Sequence, residues 1–220
     1  MQETAKYLCE NVQGCQLAYT QSDEISLLLI DYQRFETSAW FDYEIQKMCS
    51  ISASMATMAF NKLFERAFKE FAEEPDYTMR DLELFSAYSN AVKKGAMFDT
   101  RVFNVPKEEV TNYFYWRQLD ASRNSIQMVG QANFSHRELQ HKSCNDIQDM
   151  LMTQKGINWN DFPTYQKRGI CVVKENYLEV TPESTDSESI RSRWIIDMDI
   201  PIFKGDGREY IERFVNVGAV

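Results

Sequence analysis
Leu17-Ala18-Tyr19-Thr20-Gln21-Ser22-Asp23-Glu24-Ile25-Ser26-Leu27-Leu28-Leu29-Ile30 sets two apolar runs on either side of a polar tip that carries two adjacent carboxylates. The pattern predicts strand, tight turn, strand, with Gln21 to Glu24 at the bend. Carboxylates at the tip of a buried hairpin stand on a rigid support, where they can hold a divalent cation against phosphate oxygens. Ser and Asp are also ordinary turn residues, so a merely solvated tip fits the same letters. Spacing alone leaves both readings open.

Upstream of the hairpin, residues 2–13 read as a helix with Ala5, Leu8, Cys9 and Val12 on one stripe, ended by Gly14. Downstream, residues 31–41 read as a loop. Residues 43–73 are helical in composition, with Ile45, Met48, Ile51, Met55, Met58 and Leu63 as a core-facing stripe. Lys47, near the start of that segment, suits either an exposed helix lysine or one that reaches a phosphate. Pro75-Asp76 is a break and Lys93-Lys94-Gly95 a turn. Phe98 to Phe103 alternates as a short strand does.

Pro106 opens a helix reaching to about residue 129, with Glu108 and Glu109 complementing its dipole in the first turn. Arg117, Asp120 and Asn124 fall at i, i+3 and i+7 on one face of it. Such a face is either solvated surface or the wall of a polar cleft. Ser143 and Asp146 form a capping box for a further helix that Gly156 closes. Ile170 to Val173 reads as a strand, and the acidic, Ser/Thr-rich run from Thr181 to Ser189 as a linker or mobile loop. Trp194–Phe203 and Tyr210–Val217 read as two terminal strands around the turn Lys204-Gly205-Asp206-Gly207.

The 220 residues, 44% apolar, suit one sizeable domain with or without an appendage and exclude wholesale disorder. A net charge of −9 argues against binding nucleic acid through the whole surface, so any contact with a polyanion must be focused. Lys142, Lys155, Lys167, Arg168 and Lys174 follow the long helix as a local basic set, either a phosphate path or separate surface cations. The five cysteines are scattered without C-x-x-C spacing, which fits reduced thiols in a cytoplasm. His136 and His141 lack the spacing of paired helical metal ligands. No stretch approaches the roughly 18 apolar residues of a membrane helix.

Read together, Tyr19-Thr20-Gln21-Ser22-Asp23-Glu24-Ile25-Ser26, Lys47 before Ser50, Ser52 and Ser54, Phe98-Asp99-Thr100-Arg101-Val102-Phe103 and Trp116-Arg117-Gln118-Leu119-Asp120 resemble the tRNA-histidine guanylyltransferase family. The order and spacing match over roughly residues 15–170. The resemblance implies an α+β fold, a polymerase-palm-like antiparallel sheet packed with helices. It divides the chain into a palm-like domain over 1–180 and a polar linker with a C-terminal strand segment over 181–220. It implies a nucleotidyltransferase that adds nucleotides to the 5′ end of tRNA in the 3′-to-5′ direction, with GTP and ATP as substrates and two magnesium ions bridging phosphates and carboxylates. A cytoplasmic homo-oligomer, commonly a tetramer, and no membrane association are also implied.

By position, Asp23 would be the metal ligand and, with Glu24, the catalytic pair. Ser22, Asp23, Lys47 and Asn124 would contact the nucleotide, and Lys167 and Arg168 the phosphates or RNA. Two departures qualify the resemblance. The family takes another metal-binding Asp from an N-terminal strand ending in an Asp-Gly turn, whereas this sequence opens on the helix that follows it. That leads us to expect a sheet missing its first strand and a fragment with little or no activity by itself. A catalytically dead nucleotide- or RNA-binding remnant is the alternative reading. Second, where members specific for histidine tRNA carry His-Ile-Asn-Asn, this chain has Ser122-Arg123-Asn124-Ser125. That points to the guanylyltransferase-like branch, which repairs truncated 5′ ends against a template.

Overall fold
Strand β1 (Cys15–Gln21) buries nearly every side chain, so it must be covered on both faces, and this requirement sets the architecture. The structure is a computed structural model, and it describes residues 1–73, 79–179 and 189–216. β1 pairs antiparallel with β2 (Glu24–Leu29) on one side and with β3 (Ile170–Glu179) on the other. β3 pairs antiparallel with β4 (Ser189–Asp197), giving the order β2-β1-β3-β4.

One face of the sheet carries Ala18, Ile170 and Val172 against helix α1 (Gln2–Asn11), whose Ala5, Leu8 and Cys9 supply the stripe expected from the sequence. Behind α1 lies α2 (Ile45–Ala72). Of the expected stripe Met48 is buried and Met55 packs against this layer, while Ile45, Ile51 and Met58 stand exposed; Ser52, Ala56 and Ala59 complete the buried face. Small side chains let two helices approach closely, and the larger ones turn outward. α3 (Met79–Lys94) returns along α2, joined to it by ring contacts such as Phe64–Tyr88 and Phe68–Phe85.

The other face carries Leu17, Tyr19, Cys171 and Val173 against α4 (Val110–Asn133) and α8 (Glu209–Val215). Phe114, Ile200, Phe203 and Ile211 fill this layer, each burial contributing about 1.5–3 kcal/mol. Gln118, buried in α4, donates to the Pro201 carbonyl and accepts from the Phe203 amide, so it stitches the segment after β4 to the helix. The distal end of α4 has its own small cluster, Ile126 and Phe134 with Ile147 and Leu151. These last two belong to α6 (Cys144–Met150) and the π-type turn Leu151–Lys155 that extends it. The helix α5 (His136–Leu139) and the short α7 (Thr164–Arg168) complete the element order.

Several expectations are corrected. Phe98 to Phe103 is not a strand: it runs irregularly over α2, held by the Phe98 amide on Thr57 Oγ1 and the Ala96 amide on Asn61 Oδ1. Alternation was present, but no strand lies beside it to complete a ladder. Tyr210 to Asn216 is not a strand either, and Val217 lies outside the described residues. Residues 209–215 are α8, because Ile211 and Val215, four apart, are the pair that faces the core. The expected Trp194–Phe203 strand is shifted: it begins at Ser189, ends at Asp197 and pairs with β3. Lys204–Gly207 does turn, as a single helical turn over Gly205–Arg208. The Ser143–Asp146 capping box is present, and Gly156 ends that segment in the left-handed region. The Pro75-Asp76 break and most of the Thr181–Ser189 run lie outside the described residues.

Candidate functional site at the hairpin tip
The β1–β2 hairpin closes on a two-residue turn, Ser22-Asp23, with Gln21 opposite Glu24. Ser22 takes a positive φ of 50°, a position most side chains avoid. Thr20 Oγ1 donates to the Glu24 carbonyl at 2.7 Å, which fixes the base of the turn. Ser22 and Asp23 are exposed at its crown, and neither side chain has a partner among the described residues.

Glu24 is committed. Its Oε2 pairs with the Arg117 guanidinium and accepts from Gln21 Nε2 at 3.0 Å. Arg117 is only 13% exposed; its other nitrogen stands 3.8 Å from Asp120 Oδ2, and Asn124 donates to that same oxygen at 3.3 Å. The polar face of α4 is therefore tied to the hairpin tip through Arg117, not a free surface. Beneath it the Tyr19 hydroxyl donates to the Arg168 carbonyl at 2.6 Å. Burial, reinforced by Cys171, pushes that hydroxyl well above the usual tyrosine range, while Arg117 pulls it down. Tyr19 is thus a neutral donor that ties the α7–β3 corner to β1.

Gly169 makes the corner possible. It has φ 81°, and a Cβ there would lie 2.6 Å from the Thr20 carbonyl oxygen and 3.0 Å from the Tyr19 hydroxyl. Only glycine lets the chain press this closely on the end of β1. Arg168 is thereby carried to the neighbourhood of the tip, and its side chain has no partner among the described residues. Lys167 is turned aside: its ammonium donates to the Asn160 carbonyl at 2.6 Å and lies over Trp159. The rest of the basic set does not converge. Lys155 covers Phe134 in the distal cluster and Lys174 covers Trp194 on the α1 face of the sheet. Lys47 is exposed on the first turn of α2, its ammonium 4.9 Å from the Phe41 ring centre.

The structure joins Glu24 to Asn124 through Arg117 and Asp120, sets Ser22 and Asp23 on the adjoining turn, and brings the Arg168 backbone to the end of β1. Sequence reasoning named Arg117 on the polar helix face but not as the group that binds Glu24, and it did not single out Tyr19 and Gly169 as the residues that build the corner. Arg117, directly after the aromatic run Tyr113 to Trp116, was the available signal. For a divalent cation, the donor set is thin. Asp23 offers one uncommitted carboxylate, and magnesium is commonly held by one or two carboxylates with phosphates and waters. Among the described residues no group of three or more acidic, histidine or cysteine side chains converges. The Asp23 carboxylate would hold one ion, and among the described residues no converging set of acidic side chains stands there for the second that the resemblance implies. All five cysteines are free thiols, and among the described residues no helix is long and apolar enough to cross a membrane.

An antiparallel sheet with helices on both faces, a carboxylate-bearing hairpin tip and a basic corner beside it defines an α+β protein of the palm type. The family profile described as Thg1, tRNAHis guanylyltransferase, matches residues 1–106. A bacterial tRNA(His) guanylyltransferase (Thg1)-like protein solved in complex with ATP is 44% identical. That match covers 98% of this chain and 77% of the other, with a TM-score of 0.77. A Thg1-like structure solved with GTP is 40% identical over 97% of this chain and 75% of the other, TM-score 0.68. The chain belongs to the tRNAHis guanylyltransferase (Thg1) family. Among curated relatives it is 26% identical to the tRNA(His) guanylyltransferase of Debaryomyces hansenii and 24% to that of Saccharomyces cerevisiae. These matches cover 84% and 74% of this chain. It spans just under two thirds of their length, 65% and 64%.

Proposed function
We propose that the chain is a magnesium-dependent nucleotidyltransferase that adds nucleotides, GTP by preference, to the 5′ end of tRNA in the 3′-to-5′ direction. The observation that carries this reading is the uncommitted Asp23 carboxylate, held at a rigid tip between the Arg117-bound Glu24 and the Arg168 corner. Magnesium bound at Asp23 supplies charge neutralisation to the phosphates, which is the main need of nucleotidyl transfer. Arg117 holds Glu24 in one orientation toward the cleft. Arg168 faces phosphate oxygens, Lys47 reaches the triphosphate from α2, and Ser22 and Asn124 contact the nucleotide. Lys167 serves the RNA side only if it leaves Asn160. The free thiols support a cytoplasmic setting, and a homo-oligomer, tetrameric by family resemblance, is tested by light scattering.

The test is incubation of a 5′-truncated, triphosphorylated tRNA with labelled GTP and magnesium, using this chain and Asp23→Asn. Weak incorporation of label by the first, lost in the second, is the expected result. Incorporation unaffected by the substitution overturns the assignment of Asp23. Comparing G addition opposite C with untemplated addition on histidine tRNA separates repair from maturation. With Ser122-Arg123-Asn124-Ser125 in place of His-Ile-Asn-Asn, templated addition is expected to be faster. A second reading, a nucleotide- or RNA-binding remnant, is favoured by the commitment of Glu24 to Arg117 and the thin donor set. GTP binding without incorporation in either protein would select it.

A further inference from the structure
Two exposed rings, Phe103 and Trp116, flank the half-buried Tyr113 beside the hairpin, and neither of the two belongs to the core clusters. Trp116 is 59% and Phe103 58% exposed, and Tyr113 lies between them, 5.6 Å from Phe103 and 6.2 Å from Trp116 between ring centres. Tyr113 is anchored to the hairpin, its hydroxyl 3.4 Å from Ser26 Oγ on β2. Trp116 is anchored through Arg117, whose guanidinium carbon lies 5.0 Å from the indole centre while its nitrogens bind Glu24. One residue therefore joins the carboxylate tip to the aromatic cluster. The guanidinium covers one side of the indole, and the ring remains largely open to water. Two residues before Phe103, Arg101 is almost fully exposed, with only a loose 3.7 Å pairing to equally exposed Asp99.

We propose that Phe103, Tyr113 and Trp116 form a stacking platform for unpaired nucleobases at the 5′ end of the RNA substrate, with Arg101 meeting a phosphate of that strand. Fixed aromatic faces flanked by cations are the usual means of holding single-stranded nucleic acid without reading its sequence. Phe103 and Trp116 stand on either side of Tyr113 at steep angles to it, 67° and 52°, so each can take a separate base, which favours an RNA strand over a lone triphosphate. In an acidic protein this is also a focused contact, consistent with the net charge of −9. The inference rests on the proposed function only for the identity of the RNA, since binding is measured apart from transfer.

The experiment measures binding of a tRNA acceptor duplex with a three-nucleotide unpaired 5′ extension, of the same duplex blunt-ended, and of GTP alone. It compares the whole chain with Trp116→Ala, Phe103→Ala and Trp116→Phe. The alanine variants should each weaken the extended RNA by about tenfold and leave GTP and the blunt duplex within about twofold, and Trp116→Phe should retain most of the binding. Equal weakening of GTP overturns the inference in favour of a nucleotide-base pocket. Unchanged RNA binding with a change in sedimentation overturns it in favour of contact between protein chains. Trp116-dependent RNA binding in a chain that incorporates no label upholds the platform while the transferase reading falls.

Discussion
Arg117 shows how much one buried cation decides. Its guanidinium meets two carboxylates and an indole face while remaining mostly shielded from water. Replacing it with methionine keeps the bulk and removes the charge, leaving Glu24 and Asp120 facing each other uncompensated. Because Glu24 is 54% exposed, solvent screens much of the penalty, and we expect a loss of about 1 kcal/mol in thermal or urea unfolding. The larger consequence is local: Glu24 becomes free to wander, and label incorporation should fall more than stability does. Gly169→Ala makes the contrast. The strained φ and the collision with the Thr20 carbonyl should cost about 1–3 kcal/mol in the same unfolding assay. At this scale the sequence was half legible. Asp23 and Glu24 are adjacent in the chain, so their shared site can be read directly. Arg117 reaches them only through the packing of α4 on the hairpin, which no local pattern records.

Among elements, α4 carries three loads in series. Its first turns bury Val110 and Phe114 in the sheet core, its middle binds the hairpin tip through Arg117, and its end packs Ile126 against Ile147 of α6. Gly130 permits that last contact, since a Cβ there would lie 2.8 Å from Ile147 Cγ2. Ile147→Ala should cost about 2–4 kcal/mol, and hydrogen exchange should rise in α5 and α6 while β1 and β3 stay protected. The caps of α5 and α6 add a pH dependence. Hydrogen bonds from Ser135 and from Ser143 hold the Glu138 and Asp146 carboxyls below the usual carboxylate range. A folded pKa below the unfolded one stabilises above the unfolded value and is lost as pH falls through the folded one. These two helices should therefore fray below about pH 4, ahead of the sheet, with exchange in α5 and α6 as the readout. Long elements with clear periods were legible: the hairpin, α1, α2 and α4. Short ones were not. The Tyr210–Val217 pattern is compatible with either period over eight residues, and only the position of the core selects the helical one.

For the molecule as a whole, the sheet ends on β2 among the described residues, and β2 is Glu-Ile-Ser-Leu-Leu-Leu. Backbone amides on its outer side should exchange far faster than those of β1, whose two neighbours both pair with it. An apolar strand with an open hydrogen-bonding edge is also a template on which another extended segment can crystallise. At neutral pH the charge of −9 keeps like molecules apart, and the isoelectric point is about 4.9. Acidification toward that point removes the repulsion while the template stays intact. Turbidity on acidification, with a gain in β-sheet infrared signal and little loss of helix, is the expected behaviour. The colloidal fate of the solution is thus governed by six residues on the rim of the sheet, and handling this protein becomes a question of holding it well above its isoelectric pH.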